Sequence, residues 1–383
     1  MDHYLRCIQY FIVILCVCFI FNSCQHNKRY ITGSAIEADV TSNAELIISE
    51  YFENFRMLKL PTDVVMGEIH RIRYENNRIY ISDRQTLFSF SDDGILLSYF
   101  QKIGRGPGEY YRITDFIVDG ENIIILDRTL QNLITYNHSG EYISTRKLEY
   151  WAQAISPIVN DSYFFYCGNE YGPEEKHKLR RIKNGKDDSR YLPIDENQSK
   201  YLHINSNHYF YQHQEIVYFF EAFNDIVYES VGGGDIVPSL YVDFKGKNIP
   251  SSFFEKEYAN IAAFFMEFHK TSYAYGVINF AVYNRFLMFG SLYQTNIKLT
   301  VFNQKDKISK TFSTIKDDIY FNGLTIPVSE FNYHANKHIF VPVNAFSVVE
   351  WKQTYPTAEQ FKSLVNATNE EDNPLLLIFD FKQ

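Results

Sequence analysis

From residue 44 onward, the apolar positions either alternate with polar ones or come in runs of four to six closed by Gly, Asn or Asp. That pattern predicts short, closely spaced strands. The stretch NNRIYISDRQTLFSFSDDGILLSYF, residues 76–100, and the stretch GENIIILDRTLQNLITYNHSGEYISTRKL, residues 120–148, both read as strand, Asp-Arg, strand, polar turn ending in Gly, strand. Asp83 recurs as Asp127 and Gly94 as Gly140, offsets of 44 and 46 residues, which is the period of a four-stranded propeller blade. Weaker copies begin at SYFFYCGNE, EIVYFFEAF, RFLMFGSLY and KHIFVPVNAF, the last of them finishing in PLLLIFDFKQ. With the strand at Phe55–Leu60 completing the last blade, these copies predict an all-β, six-bladed β-propeller. Joining strands from both ends of the chain in one blade removes the edge that an open ring would expose.

Two stretches break the strand pattern and predict short helical insertions. In SSFFEKEYANIAAFFMEFH, residues 251–269, Phe254, Tyr258, Ile261, Phe265 and Phe268 recur at helical spacing behind a Ser252–Glu255 capping box. In TAEQFKSLVN, residues 357–366, Thr357 and Gln360 stand in the same capping relation.

The start of the chain has a different character. Arg6 precedes an uncharged apolar run from Cys7 to Phe21, which ends at Asn22-Ser23-Cys24. The run is short for a membrane span and has the layout of a secretory signal. A small residue before cysteine is similar to a lipobox, so residues 1–23 read as a lipoprotein signal peptide and Cys24 as the lipidated N-terminus. The alternative is an uncleaved anchor helix. Either reading exports the chain and tethers it to a membrane, with residues 24–43 as a flexible tether and residues 44–383 as the propeller domain.

Charge and cysteine content narrow the chemistry. The net charge is −9 with no basic block, which argues against a nucleic-acid partner. With Cys7, Cys16 and Cys18 in the signal and Cys24 as the anchor, Cys167 stands alone in the domain. An intramolecular disulfide and a cysteine zinc site are thereby excluded, and no metal or other cofactor is expected. His203, His208 and His213 recur every five residues, a spacing that on a strand sends successive side chains to opposite faces. The repeated Asp83-Arg84 and Asp127-Arg128 are read as scaffold, each Asp accepting backbone N–H groups in the turn between the second and third strands of its blade.

QKIGRGPGEYYR, residues 101–112, has the glycine density of a phosphate loop. Gly104, Gly106 and Gly108 alternate, however, no Lys-Ser/Thr pair follows, and strand resumes at Ile113. A phosphate cradle needs a helix at that point. The stretch reads as a tight connection between blades, with Arg105, Glu109 and Tyr110 as candidate ligand-facing residues on the ring surface. GRGPGEY after a strand, the two Asp-Arg repeats, SLYVDF after a proline and the terminal DNPLLLIFDFKQ together resemble the six-bladed β-propeller lipoproteins of Bacteroidota, relatives of NHL-repeat propellers. The resemblance implies fold and compartment: a monomeric lipoprotein of the cell envelope, at the outer membrane on its periplasmic face or at the cell surface. It implies no substrate and no catalytic motif. Tyr and Phe number 30 and 33; most of them must pack between blades, and some are free to stack on a ligand. The function expected is a non-catalytic binding or scaffold module for a glycan, a peptide or an envelope protein. The alternative is a hydrolase or lyase acting on polysaccharide or peptide fragments with carboxylates from several blades.

Overall fold

The computed structural model describes residues 35–158, 162–169, 175–202 and 208–382. The signal segment and Cys24 lie outside the described residues. Six sheets form the ring, four of them four-stranded and two enlarged to five and six strands. The innermost strands are Arg71–Glu75, Asp115–Asp119, Ala154–Ile158, Phe210–His213, Asn279–Tyr283 and Tyr333–Ala335 for blades one to six. In blade one the second strand, Arg78–Ser82, buries Ile79, Tyr80 and Ile81 in succession, because each blade is packed by a neighbour on both faces and the strand has no wet side.

The sixth blade closes the ring as the pattern predicts. Phe52–Lys59 pairs antiparallel with Leu375–Phe381, with Leu58 opposite Leu376, while Tyr333–Ala335 and His338–Val343 supply the two inner strands. The chain before this closure departs from the expected tether. Ala35–Glu37 adds in parallel to the outer strand of blade four, Asp235–Asp243, with Ile36 opposite Val242. Ala44–Ile47 adds in parallel to the outer strand of blade five, Ile308–Asp317. Ile36, Ala38, Val40 and Leu46 are buried, so the flexible tether expected through residue 43 is corrected from residue 35 onward. The N-terminal segment is a strap that crosses the rims of blades four and five before it becomes part of blade six.

The insertions also differ in detail. Residues 251–269 form two helices, Ser251–Phe254 and Ile261–His269, rather than one. Between them Tyr258 is fixed through its N–H to the Tyr201 hydroxyl at 2.9 Å and through its own hydroxyl to the Phe253 carbonyl at 2.7 Å. The second helix restarts on Asn260, whose side chain accepts from the N–H of Ala263. The predicted Ser252–Glu255 box is not used, since Pro250 holds the N-cap position. Residues 357–366 become a 3-10 turn, Glu359–Phe361, and a short helix, Lys362–Asn366. A further helix, Ala345–Thr354, lies where the pattern suggested strand. Its buried Ala345 and Val348 are three apart, but FSVVEW is rich enough in β-branched and aromatic residues to mask that spacing.

Candidate functional site

The innermost strands bring charge into the central channel. Asp115 is 2% exposed and its Oδ1 accepts from Arg71 Nε at 3.3 Å and Arg73 Nη2 at 3.0 Å. Its Oδ2 accepts the backbone N–H of Ile155 on blade three at 3.0 Å. Burial opposes the Asp115 charge, but Arg73, Arg71 and the N–H groups of Ile155 and Phe116 outweigh it and hold the carboxyl below its ordinary value. Arg73 also donates through Nε to the Phe116 carbonyl and lies over the Phe116 ring, 5.6 Å from its centroid.

Three histidines surround this network. Burial first, then the positive charge of Arg71, pushes His70 down to about 3. Burial alone is the leading cause that brings His334 down to about 4, and burial with Arg71 and His334 keeps His208 well below the usual imidazole range. All three are neutral at pH 7. Asn279 Nδ2 stands 3.0 Å from His334 Nε2, and its own Oδ1 accepts from Phe280 N–H. The Phe331 carbonyl lies 3.0 Å from the same Nε2 and accepts from Asn279 Nδ2 at 3.1 Å, while His334 Nδ1 stands 2.7 Å from the Tyr283 hydroxyl, so the ring is held at both nitrogens.

Arg73 and His334 reach the wall of a cleft of about 470 Å³ at one mouth of the channel, which draws residues from blades one, two, three, four and six. Glu75, Asp119 and Glu215 provide carboxylates from three blades, Gln212 and Asn336 provide amides, and Tyr74 and Tyr211 provide rings. Burial raises the Glu75 carboxyl above its ordinary value. The size lies within the range of small-molecule sites. A second, more open cleft of about 900 Å³ shares Tyr74, Gln214 and Asn336 with the first and runs on to Asn54, Asp92 and Asp380. Among the described residues no three His, Cys, Asp or Glu side chains are grouped to hold a metal ion.

The loop at 101–112 lies elsewhere. Tyr110 is fully buried and donates to the Gln85 carbonyl at 2.7 Å, so it faces the core, which corrects its candidacy as a ligand-facing residue. Glu109 Oε2 accepts from Gly106 N–H at 2.7 Å. Arg105 is exposed, and neither it nor Glu109 lines either cleft. A Cβ on Gly104 would stand 2.0 Å from Glu109 Oε2, so a side chain there would displace the carboxylate folded over it. Gly108 has φ +72° and alone of the three glycines uses glycine's access to the left-handed region.

The Asp-Arg repeats have the scaffold geometry expected of them. Asp83 accepts from the N–H groups of Gln85, Thr86 and Gly67, and Asp127 from those of Leu130 and Tyr111. His203 lies outside the described residues. His208 enters the channel cluster and His213 the second cleft. The channel charges were missed in the sequence, although a signal is present: Asp115 falls 44 residues after Arg71, the same blade position filled by opposite charges.

A family model for the domain of unknown function DUF4934 matches residues 34–380. The chain belongs to this family. The DUF4934 chain shares its fold with a Bacteroides fragilis protein described as exported, at 19% identity over 91% of this chain and 99% of that one, with a TM-score of 0.71. A likeness at that identity establishes fold, and it bears out the resemblance to the six-bladed propellers of Bacteroidota. A DUF4221 member from Bacteroides vulgatus, at 10% identity over 87% of this chain and 98% of that one, has a TM-score of 0.48. Virginiamycin B lyase from Staphylococcus aureus, at 10% identity over 85% and 99%, has a TM-score of 0.43. Neither of these carries an argument about activity. No curated protein matches the chain.

Proposed function

We propose that this DUF4934 chain is a non-catalytic binding propeller, held at the cell envelope by a lipid on Cys24, that seats its ligand in the cleft at the channel mouth. The observation that carries the reading is the convergence of polar side chains from four blades on one concavity above the Arg71–Asp115–Arg73 network. Ligand sites are concave and depend on a few placed polar groups. The network gives the cleft a stiff floor, because charges paired in low dielectric cannot separate without a large penalty. The charged groups in that floor are engaged with one another and with backbone, which suits holding a ligand better than moving protons. Among the described residues no helix is long and apolar enough to cross a membrane; the attachment proposed at Cys24 rests on the lipobox-like end of the apolar run at residues 7–21. The partner is a glycan, a peptide or an envelope protein, and the outer membrane, on its periplasmic face or at the cell surface, is the location that fits a lipidated exported chain.

A glycan-and-peptide array probed with the form lacking residues 1–24 tests the reading. Retention of one ligand class by the wild type, and its loss when the rim residues Gln212 and Glu215 are both changed to Ala, is the expected result. Retention unaffected by that pair of changes would move the site away from the channel mouth.

A further inference from the structure

From the two clefts we infer that the ligand is an uncharged, hydroxyl-rich oligosaccharide lying along one continuous groove, from the channel mouth to the seam between blades six and one. This rests on the binding reading above and names the ligand class for the same face. Continuity comes from Tyr74, Gln214 and Asn336, which line both clefts. Each cleft alone has the volume of a small-molecule site, about 470 and 900 Å³, so filling both calls for a chain of units rather than a single ring.

The cationic side chains along the groove are already paired, while Glu75, Asp119 and Glu215 add carboxylates to its wall. Arg56 holds Asp92 at 2.8 Å, and His338 Nδ1 holds Asp380 at 2.5 Å with Lys337 at 3.4 Å from the same carboxylate. Arg73 is bound to Asp115 at 3.0 Å. An anionic ligand would have to compete with these pairs and face the carboxylates of Glu75, Asp119 and Glu215, whereas hydroxyl groups donate to carboxylate oxygens. Asp92 lies on the second cleft beside the Tyr74 hydroxyl, its Oδ2 held by Arg56 at 2.8 Å.

Three backbone carbonyls at the junction of the two clefts already accept side-chain donors. The Tyr74 carbonyl accepts from Asn336 Nδ2 at 3.0 Å, the Asn336 carbonyl from the Tyr211 hydroxyl at 2.9 Å, and the Gln214 carbonyl from Gln212 Nε2 at 3.3 Å. Strand addition by a peptide requires free main-chain groups, and these are taken. What remains for recognition is side-chain amides and carboxylates around one ring. Asn77, Gln214 and Asn336 stand at hairpin turns with φ of 57°, 54° and 54°, where the left-handed backbone puts amide-bearing residues at the groove wall. Tyr74 sits where the clefts meet, half-buried, its hydroxyl 3.3 Å from Asn77 Oδ1 and its ring edge-on to His338 at 4.7 Å. Amides and carboxylates satisfy vicinal hydroxyls, and a tyrosine ring packs against the apolar face of a sugar.

The test titrates gluco-, manno- and xylo-oligosaccharides of one to six units onto the chain lacking residues 1–24, by calorimetry, beside a peptide array carrying the same variants. One sugar series is expected to bind with affinity rising at least tenfold from monomer to hexamer. Tyr74→Ala is expected to weaken the hexamer at least tenfold, and Asn77→Ala, an exposed turn residue that leaves the core untouched, to weaken it severalfold. Binding by none of the three series, equal affinity for monomer and hexamer, or hexamer binding indifferent to both variants would overturn the inference. A peptide retained in the groove and lost with Tyr74→Ala would overturn it while leaving the binding reading intact; silence in both arms sinks both.

Discussion

Asp115 on blade two accepts the backbone N–H of Ile155 on blade three at 3.0 Å, so the carboxylate that pairs with two arginines of blade one also fixes the next blade in register. Three blades are joined through one buried side chain. Asp115→Ala would leave Arg71 and Arg73 facing each other without a counter-charge, and the expected loss is about 3–5 kcal/mol. Chemical denaturation with an unchanged m-value checks it. A loss below about 1 kcal/mol would mean that solvent reaches the arginines and that the floor of the cleft is soft.

The N-terminal strap makes a second prediction. Leu46 and Ile36 are buried at the rims of blades five and four. Leu46→Ala should lower stability by about 2–5 kcal/mol, the range for truncating a buried leucine. Deleting residues 24–34 should leave the thermal midpoint of the folded domain in place. Deleting residues through Ile47 should lower it, since two rims lose their added strands. Equal midpoints for both truncations would contradict the strap.

The glycine-rich loop yields a mutant cycle. Gly108→Ala should cost about 1–3 kcal/mol, because φ is +72° and the new Cβ would lie 2.7 Å from the Tyr142 ring. Gly104→Ala should cost about 1 kcal/mol, by displacing the flexible Glu109 carboxylate from Gly106 N–H. Adding Glu109→Ala to Gly104→Ala should bring little further loss. Additivity of the two changes in melting experiments would show that Glu109 is not what confines Gly104.

Acid should loosen the channel. His70 and His334 have folded values of about 3 and 4, below the ordinary value near 6.5, so the unfolded chain binds protons first as pH falls. Their contribution is complete above about pH 6.5 and drains away towards the folded values, roughly 2 kcal/mol for each at pH 5. Asp225, raised by burial to about 6, acts with the opposite sign over the same interval and offsets part of the loss. The thermal midpoint is therefore expected to fall between pH 6.5 and 5, and Asp225→Asn should make that fall steeper. A flat profile across this interval in both proteins would refute neutral, buried imidazoles.

The sequence alone determined the repeat, the number of blades and the closing strand at residues 55–60, because these follow from alternation and turn chemistry, which act over a few residues and recur at a fixed period. It also determined what Asp83 and Asp127 do, since a turn carboxylate satisfies N–H groups two or three positions along the chain. Only the tertiary structure decided the strap: Ile36 and Leu46 look like isolated apolar residues until blades four and five offer them an edge. It alone joined Arg71 to Asp115, a pairing that depends on two inner strands facing one channel, and it alone broke the helix at Tyr258, where Tyr201 from a distant stretch captures the backbone. The groove belongs to the same class. Tyr74, Gln214 and Asn336 come from three blades, and nothing local to any of them records that the ring brings them to one surface.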